Sequence, residues 1–124
     1  MIEYSSLDAG FITKRFPELK AQVEKETKGH DEFLAHVVFA NVFNALTAEL
    51  LKKDEYLHND TLDRIFDMFE ELSTDGDEET KNLVQVTLIE HLWDDKTTYS
   101  RASELLGEHT KELWNDIGSY LRTP

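Results

Sequence analysis

The sequence has no cysteine, and this excludes a disulfide framework, thiolate zinc sites and a cysteine nucleophile. Basic residues are scarce, because 13 lysines and arginines stand against 26 aspartates and glutamates, a formal net charge of −13. This balance argues against autonomous binding to nucleic acid or to an anionic membrane surface. The apolar fraction of 40% is nevertheless too high for a disordered acidic tail. The sequence therefore predicts one folded, acidic domain over residues 1–124.

No segment has the pattern of a signal peptide or a membrane span. Residues 1–6 lack the basic segment, the apolar core and the small-residue cleavage site of a secretory signal. The most apolar stretch, residues 33–51, is interrupted by His36, Asn41, Asn44 and Glu49, so it indicates a buried helix. We therefore expect a cytoplasmic protein.

Helical periodicity extends along the chain, and no segment alternates convincingly with a period of two. A brief alternation at residues 84–88 is the one place where a strand could lie, but its acidic flanks favour a helix. The connections are short, which predicts an all-α, compact antiparallel bundle of six to seven helices, with HEAT-like stacking of helix pairs as an alternative. The predicted segments are residues 6–14, 17–29, 31–53, 59–72, 75–93, 97–107 and 110–121.

Four features mark where individual helices begin or end. Pro17 suits the first turn of the second helix and Gly29 suits its end. Asp31 is a candidate cap for the third helix, and Asp75, with Glu78 three residues later, resembles a capping box for the fifth. Thr110 is the predicted cap of the seventh.

The negative charge is concentrated in one part of the chain. Residues 60–95 hold 12 acids and 2 bases, a net charge of −10, whereas residues 1–59 carry −3 and residues 96–124 carry none. The fourth helix places its acids in a ridge opposite Phe66 and Phe69. This ridge predicts a docking surface for a basic partner, with an ordinary solvated helix face as the alternative. Its members are Asp60, Asp63, Asp67, Glu70 and Glu71.

Two smaller groups are weaker candidates for the same surface. The acids at residues 75–79, and Asp94 with Asp95, precede helices, where carboxylates also cap backbone N–H groups. Trp93 stands beside the second group, and an aromatic residue next to acids is typical of an interface centre. A place in the core is the alternative for Trp93.

The sequence shows no trustworthy set of catalytic or metal-binding residues. Glu55 and His58 have the spacing of one arm of a di-iron site, but no second such arm exists. His36 lies on an apolar helix, where a hydrogen-bonded core histidine is expected. Phosphate-binding glycine loops and nucleophile motifs are missing. We therefore predict a protein that is not an enzyme and that has no metal, cofactor or small-molecule substrate.

Two segments together resemble a known group of proteins. They are residues 79–92, ETKNLVQVTLIEHL, and Leu105-Leu106-Gly107 followed by residues 110–114, TKELW. They are similar to small all-helical bacterial immunity proteins of contact-dependent growth inhibition and polymorphic toxin systems. The resemblance covers the C-terminal half, residues 60–124. It implies a cytoplasmic antidote that binds the catalytic C-terminal domain of its cognate toxin.

The charge distribution favours the same function, because many toxin domains are nucleases with basic clefts for phosphate. We predict an immunity protein whose acidic surface contacts a basic toxin, in particular a nuclease. A helical adaptor or scaffold domain for another basic protein is the alternative, and a small helical enzyme or metal binder is the third. The predicted contacts are Asp63, Asp67, Glu70, Glu71, Asp75, Asp77, Trp93, Asp94 and Asp95.

Overall fold

The computed structural model describes residues 1–121, which form an all-α fold that is 80% helical. The predicted fold class is thus confirmed, and the described residues contain no strand, only an isolated bridge between Ile2 and Gly76. Short 3-10 turns, Tyr4–Ser6 and Tyr56–His58, precede the first and fourth helices. The seven helices are α1 (Ala9–Arg15), α2 (residues 17–27), α3 (residues 35–51), α4 (Asp60–Asp75), α5 (residues 78–94), α6 (Lys96–Leu105) and α7 (Glu108–Tyr120).

The helices α3 and α5 change their winding along their length. In α3 a π-helical segment, Ala40–Asn44, separates two α-helical pieces. The helix α5 begins as an α-helix, continues as a π-helical segment over Leu83–Ile89 and ends as a 3-10 helix over Glu90–Asp94. The alternating residues 84–88 therefore lie in a helix, as their flanks predicted.

Several helix ends agree with the positions predicted from the sequence. Pro17 occupies the first turn of α2, and Gly29 follows that helix with a φ of 80°, a left-handed conformation that glycine adopts without strain. Asn59 caps α4, because its side chain accepts a hydrogen bond from the backbone N–H of Leu62 at 2.9 Å.

Three predicted caps are wrong. The helix α3 begins at Ala35 rather than after Asp31, because residues 31 and 32 form a bend, the backbone of Leu34 is extended and Phe33 packs against the core. Asp75 is the last residue of α4, and Asp77 caps α5 instead. Thr110 lies inside α7, which begins at Glu108.

The core is formed by α3, α4 and α5, with the other helices packed around them. One aromatic cluster joins α3 to the N-terminal helices, with the rings of Phe16 and Phe43 5.1 Å apart. A second cluster joins α5 to the C-terminal helices, because Trp93 lies 4.8 Å from Tyr99 and 5.4 Å from Trp114. Among residues 1–121, no helix is both long enough and apolar enough to span a membrane.

Candidate functional site

Four of the predicted contact residues follow one another along the exposed side of α4. Asp63, Asp67, Glu71 and Asp75 are four residues apart, and all four side chains are exposed; we call them the α4 acidic row. Within the described part of the chain, the carboxylates of Asp63 and Asp67 have no hydrogen-bond or ion-pair partner. The Asp75 side chain is 63% exposed and lies 3.9 Å from the amino group of Met1. The row therefore presents accessible carboxylates along one side of α4.

Two arginines lie along one edge of the α4 acidic row. Arg15 from α1 binds both carboxylate oxygens of Glu71, at 3.0 and 3.1 Å. Arg64 binds Asp60 at 3.0 Å, pairs with Glu18 from α2 and donates a hydrogen bond to the Arg15 carbonyl at 3.1 Å. The hydrogen bond from Arg64 lowers the pKa of Glu18. The ridge predicted from the sequence is thus partly neutralised at this edge.

A cleft of about 190 Å³ lies between α4 and the end of α1, and its wall includes both arginines, the aromatic ring of Phe16 and the side chain of Met68. Arg64 could be connected to Asp60 from the sequence, because the two residues are four apart on one helix. No signal in the sequence connects Arg15 to Glu71, since 56 positions separate them. The contribution of α1 to this surface therefore could not be predicted from the sequence.

Glu70 points away from the α4 acidic row and caps the N-terminus of α7. Its Oε1 accepts the backbone N–H of Thr110 at 2.9 Å and the Thr110 hydroxyl at 2.8 Å. Its Oε2 accepts the backbone N–H of His109 at 3.0 Å and lies 2.8 Å from the His109 ring Nδ1. Burial acts to raise the pKa of Glu70, but these hydrogen bonds outweigh it and lower the value to about 2.

Asp77, at the turn between α4 and α5, also accepts hydrogen bonds from backbone N–H groups of the protein. Its carboxylate caps α5 through the backbone N–H of Thr80 at 2.8 Å and also accepts the backbone N–H of Tyr4 at 3.0 Å. The bonds from Tyr4 and Thr80 lower the pKa of Asp77. The N-terminal segment is held here by backbone hydrogen bonds as well, because Ile2 bonds to both Asp75 and Asp77.

The remaining three predicted residues lie at the opposite end of α5. Trp93 is only 6% exposed and packs in the second aromatic cluster, which agrees with the core alternative. Asp95 caps α6 through the backbone N–H groups of Thr97 and Thr98, whereas Asp94 is exposed. Of the nine predicted residues, Trp93 is thus in the core, and Glu70, Asp77 and Asp95 are used as helix caps.

The histidines lie in separate places. His58 is exposed in a 3-10 turn, and His36 hydrogen-bonds to Thr87 as a partly buried histidine. Within residues 1–121, no three histidine, aspartate or glutamate side chains come together in a group that could hold a metal ion.

These features define an all-α domain with a charged, accessible row on one helix. The chain belongs to the family described as "Domain of unknown function (DUF7674)", which matches residues 10–121. No curated protein and no solved structure shows significant similarity to it.

Proposed function

We propose that this protein binds a basic protein partner through the α4 acidic row and acts as a non-enzymatic immunity protein against a toxin domain. The observation that carries the proposal is the pair Asp63 and Asp67, which are exposed and unpaired among the described residues. Like charges four residues apart destabilise a helix by about 0.2–0.5 kcal/mol. A basic partner would relieve this repulsion on binding.

The charge around the row supports a partner of opposite sign. Residues 60–95 carry a net charge of −10, and Arg15 and Arg64 neutralise only the edge that faces α1 and α2. A negative surface of this kind steers a basic protein during diffusion and raises its association rate. A nuclease domain with a positive cleft for phosphate has the matching charge. We place the encounter in the cytoplasm, where an antidote meets an incoming toxin.

The structure narrows the residues that this proposal needs. Asp63, Asp67, Glu71 and Asp75 remain as the docking row, with Asp67 and Glu71 also lining the cleft beside Phe16. Glu70, Asp77 and Asp95 already accept backbone hydrogen bonds within the protein, so we assign them to the support of the surface rather than to its contacts. Asp94 is left outside the row by its position at the far end of α5.

The test uses the product of the neighbouring open reading frame as the partner. Coexpression is expected to yield a complex and to protect cells from that product. The double variant Asp63→Asn with Asp67→Asn should slow association several-fold at low salt, because two steering charges are lost. The control is the double variant Asp54→Asn with Glu55→Gln. These two acids are exposed and precede α4, and their replacement removes the same net charge.

The outcomes separate the alternatives. Slower association of the row variant than of the control supports the proposed surface. Equal association rates for the two variants contradict it. A stable complex that gives no protection would instead indicate the adaptor or scaffold function, since binding would then occur without neutralisation.

A further inference from the structure

The cleft beside the α4 acidic row is lined by side chains that already hold one another in place. The guanidinium of Arg15 binds both carboxylate oxygens of Glu71, and its central carbon lies 3.7 Å from the centre of the Phe11 ring. The guanidinium of Arg64 donates to the Asp60 carboxylate at 3.0 Å and to the Arg15 carbonyl at 3.1 Å. A ligand that enters the cleft therefore meets walls that need little further ordering, which lowers the entropic cost of binding.

Asp67 supplies a hydrogen-bond acceptor that is open to a ligand. Its side chain lines the cleft and is exposed, and within residues 1–121 its carboxylate has no hydrogen-bond or ion-pair partner. The other carboxylate of the cleft, that of Glu71, is bound at both oxygens by Arg15. An ionised carboxylate can only accept hydrogen bonds, so a ligand of Asp67 must bring an N–H or O–H donor.

The charges that line the cleft favour a neutral ligand. Among the described residues, Arg15 and Arg64 contribute two guanidinium groups to the wall. Asp67 and Glu71 contribute two carboxylates, so the formal charges of the wall cancel. A lysine or arginine side chain in the cleft would lie close to two like charges, and a carboxylate would lie close to the other two. A hydroxyl group, in contrast, donates to Asp67 without adding a charge.

The shape and the accessible walls of the cleft suit one aromatic ring. Phe16 and Met68 are almost fully buried, whereas the side chains of Arg15 and Arg64 are 31% and 34% exposed and form the accessible wall. The planar guanidinium group of arginine stacks on aromatic rings. The volume of about 190 Å³ lies below the roughly 300–1,000 Å³ of pockets for drug-sized ligands, so a single side chain is the matching occupant.

We propose that this cleft binds the side chain of a tyrosine from the partner protein. The phenol ring lies against Arg15 and Arg64, and its hydroxyl donates a hydrogen bond to the carboxylate of Asp67. This inference rests on the proposed function, because the tyrosine belongs to the basic protein that docks on the α4 acidic row. Tyrosine is enriched among the residues that carry most of the binding energy at interfaces. The row then steers the encounter, and the buried tyrosine slows dissociation.

Small probes test the cleft without the partner protein. N-acetyltyrosinamide is titrated into the full chain, and NMR follows the methyl groups of its two methionines. Met68 belongs to the cleft wall, whereas Met1 is 87% exposed outside the cleft and serves as an internal control. The ring current of the bound phenol should shift the Met68 signal until it saturates and leave the Met1 signal unchanged.

Two further probes test the hydroxyl and the charge. N-acetylphenylalaninamide lacks the hydroxyl and should bind about tenfold more weakly, as expected for loss of one hydrogen bond to a carboxylate. N-acetyllysinamide should not displace the tyrosine probe, because its ammonium group would lie beside Arg15 and Arg64.

Two variants that lose the same charge locate the acceptor. Asp67→Ala removes the acceptor and should weaken binding of the tyrosine probe about tenfold. Asp63→Ala, one turn earlier on α4 and outside the cleft, should leave the affinity unchanged. Both residues are exposed on a helix, so both variants should keep the helical circular dichroism spectrum of the wild type.

The outcomes separate this inference from the proposed function. A Met68 signal that does not shift saturably, equal affinities of the tyrosine and phenylalanine probes, displacement by the lysine probe, or equal effects of the two variants would each overturn the tyrosine assignment. If these titrations fail while the row variant still slows association with the partner, only the assignment of the cleft is wrong. Probe binding without any complex with the product of the neighbouring open reading frame would contradict the proposed function and leave the tyrosine preference of the cleft standing.

Discussion

Glu70 and Thr110 join α4 to α7 through a single carboxylate oxygen. Oε1 of Glu70 accepts both the backbone N–H and the hydroxyl of Thr110, at 2.9 and 2.8 Å, and Thr110 is fully buried. The first backbone N–H groups of a helix have no partner within that helix. In α7 a side chain from another helix supplies the missing acceptor, and its negative charge also opposes the helix dipole.

Replacing this carboxylate should destabilise the fold. We expect Glu70→Gln to lower the free energy of unfolding by about 2–3 kcal/mol near pH 6, because the amide lacks the charge and only one of its two polar atoms accepts. Urea unfolding followed by circular dichroism measures the change. The control Asp67→Asn, at an exposed residue of the same helix that has no partner within residues 1–121, should stay within about 0.5 kcal/mol. An equal loss in both variants would contradict the capping role.

Because of the Glu70 carboxylate, the free energy of unfolding should depend on pH both in the acidic range and above pH 6.5. The pKa of Glu70 falls from 4.5 to about 2 on folding, so its contribution is complete above pH 4.5 and is lost as the pH falls through 2. The hydrogen bond to Glu70 raises the pKa of His109 above 6.5, so that contribution is complete below pH 6.5 and is lost as the pH rises through the raised value. The stability difference between the wild type and Glu70→Gln should therefore be largest near pH 5–6. A difference that stays constant from pH 3 to pH 9 would be evidence against both linkages.

Gly107 leaves the space that Glu70 occupies. A Cβ atom at this position would lie 2.5 Å from Cδ and 2.7 Å from Cγ of Glu70. We expect Gly107→Ala to lower the free energy of unfolding by about 1–3 kcal/mol, because the carboxylate must leave its four hydrogen bonds. In a Glu70→Ala background the clash is absent, so the same substitution should become neutral or slightly stabilising. A double-mutant cycle with no coupling between the two positions would show that they act separately.

Much of the fold could be predicted because its signals are local. The helix α4 follows from the apolar spacing of Leu62, Ile65 and Leu72 and from the cap at Asn59, all within one short segment. The start of α3 could not be predicted in this way, because Phe33 and Leu34 continue the apolar pattern although the backbone of Leu34 is extended. Periodicity also does not distinguish the π-helical segments from ordinary α-helix.

The candidate surface was less predictable, because the partner of each charge depends on the tertiary structure. Asp67 and Glu70 look equivalent in the sequence, yet one is exposed and the other reaches a helix that begins 38 positions later at Glu108. From the sequence, Glu71 is expected to be an unpaired acid, but in the structure Arg15 of α1 binds its carboxylate. The burial of Oδ1 of Asn44 and Nε2 of His91, which have no hydrogen-bond partner among the described residues, likewise depends on the tertiary structure.

Asp77 and Asp75 should differ in their effect on stability. Asp77→Ala removes an acceptor from the backbone N–H groups of Tyr4 and Thr80, so we expect it to lower the free energy of unfolding clearly more than Asp75→Ala does. Asp75→Ala should change stability by no more than about 0.5 kcal/mol, because that side chain is exposed and only near the Met1 amine. Hydrogen exchange at the Tyr4 amide should become faster in the Asp77 variant alone. The reverse ranking would restore Asp75 as the helix cap.

Arg64 should not be replaceable by lysine. Its guanidinium donates to the Asp60 carboxylate and to the Arg15 carbonyl, at 3.0 and 3.1 Å, pairs with Glu18 and lies 5.1 Å from the centre of the Phe16 ring. A lysine ammonium is a point charge that cannot reach these partners together, so we expect Arg64→Lys to cost about 1–2 kcal/mol in urea unfolding. Arg15→Lys keeps the charge beside the exposed Glu71 and should cost less than about 1 kcal/mol. If both substitutions had the same effect, total charge rather than the geometry of the guanidinium would hold this edge of α4 in place.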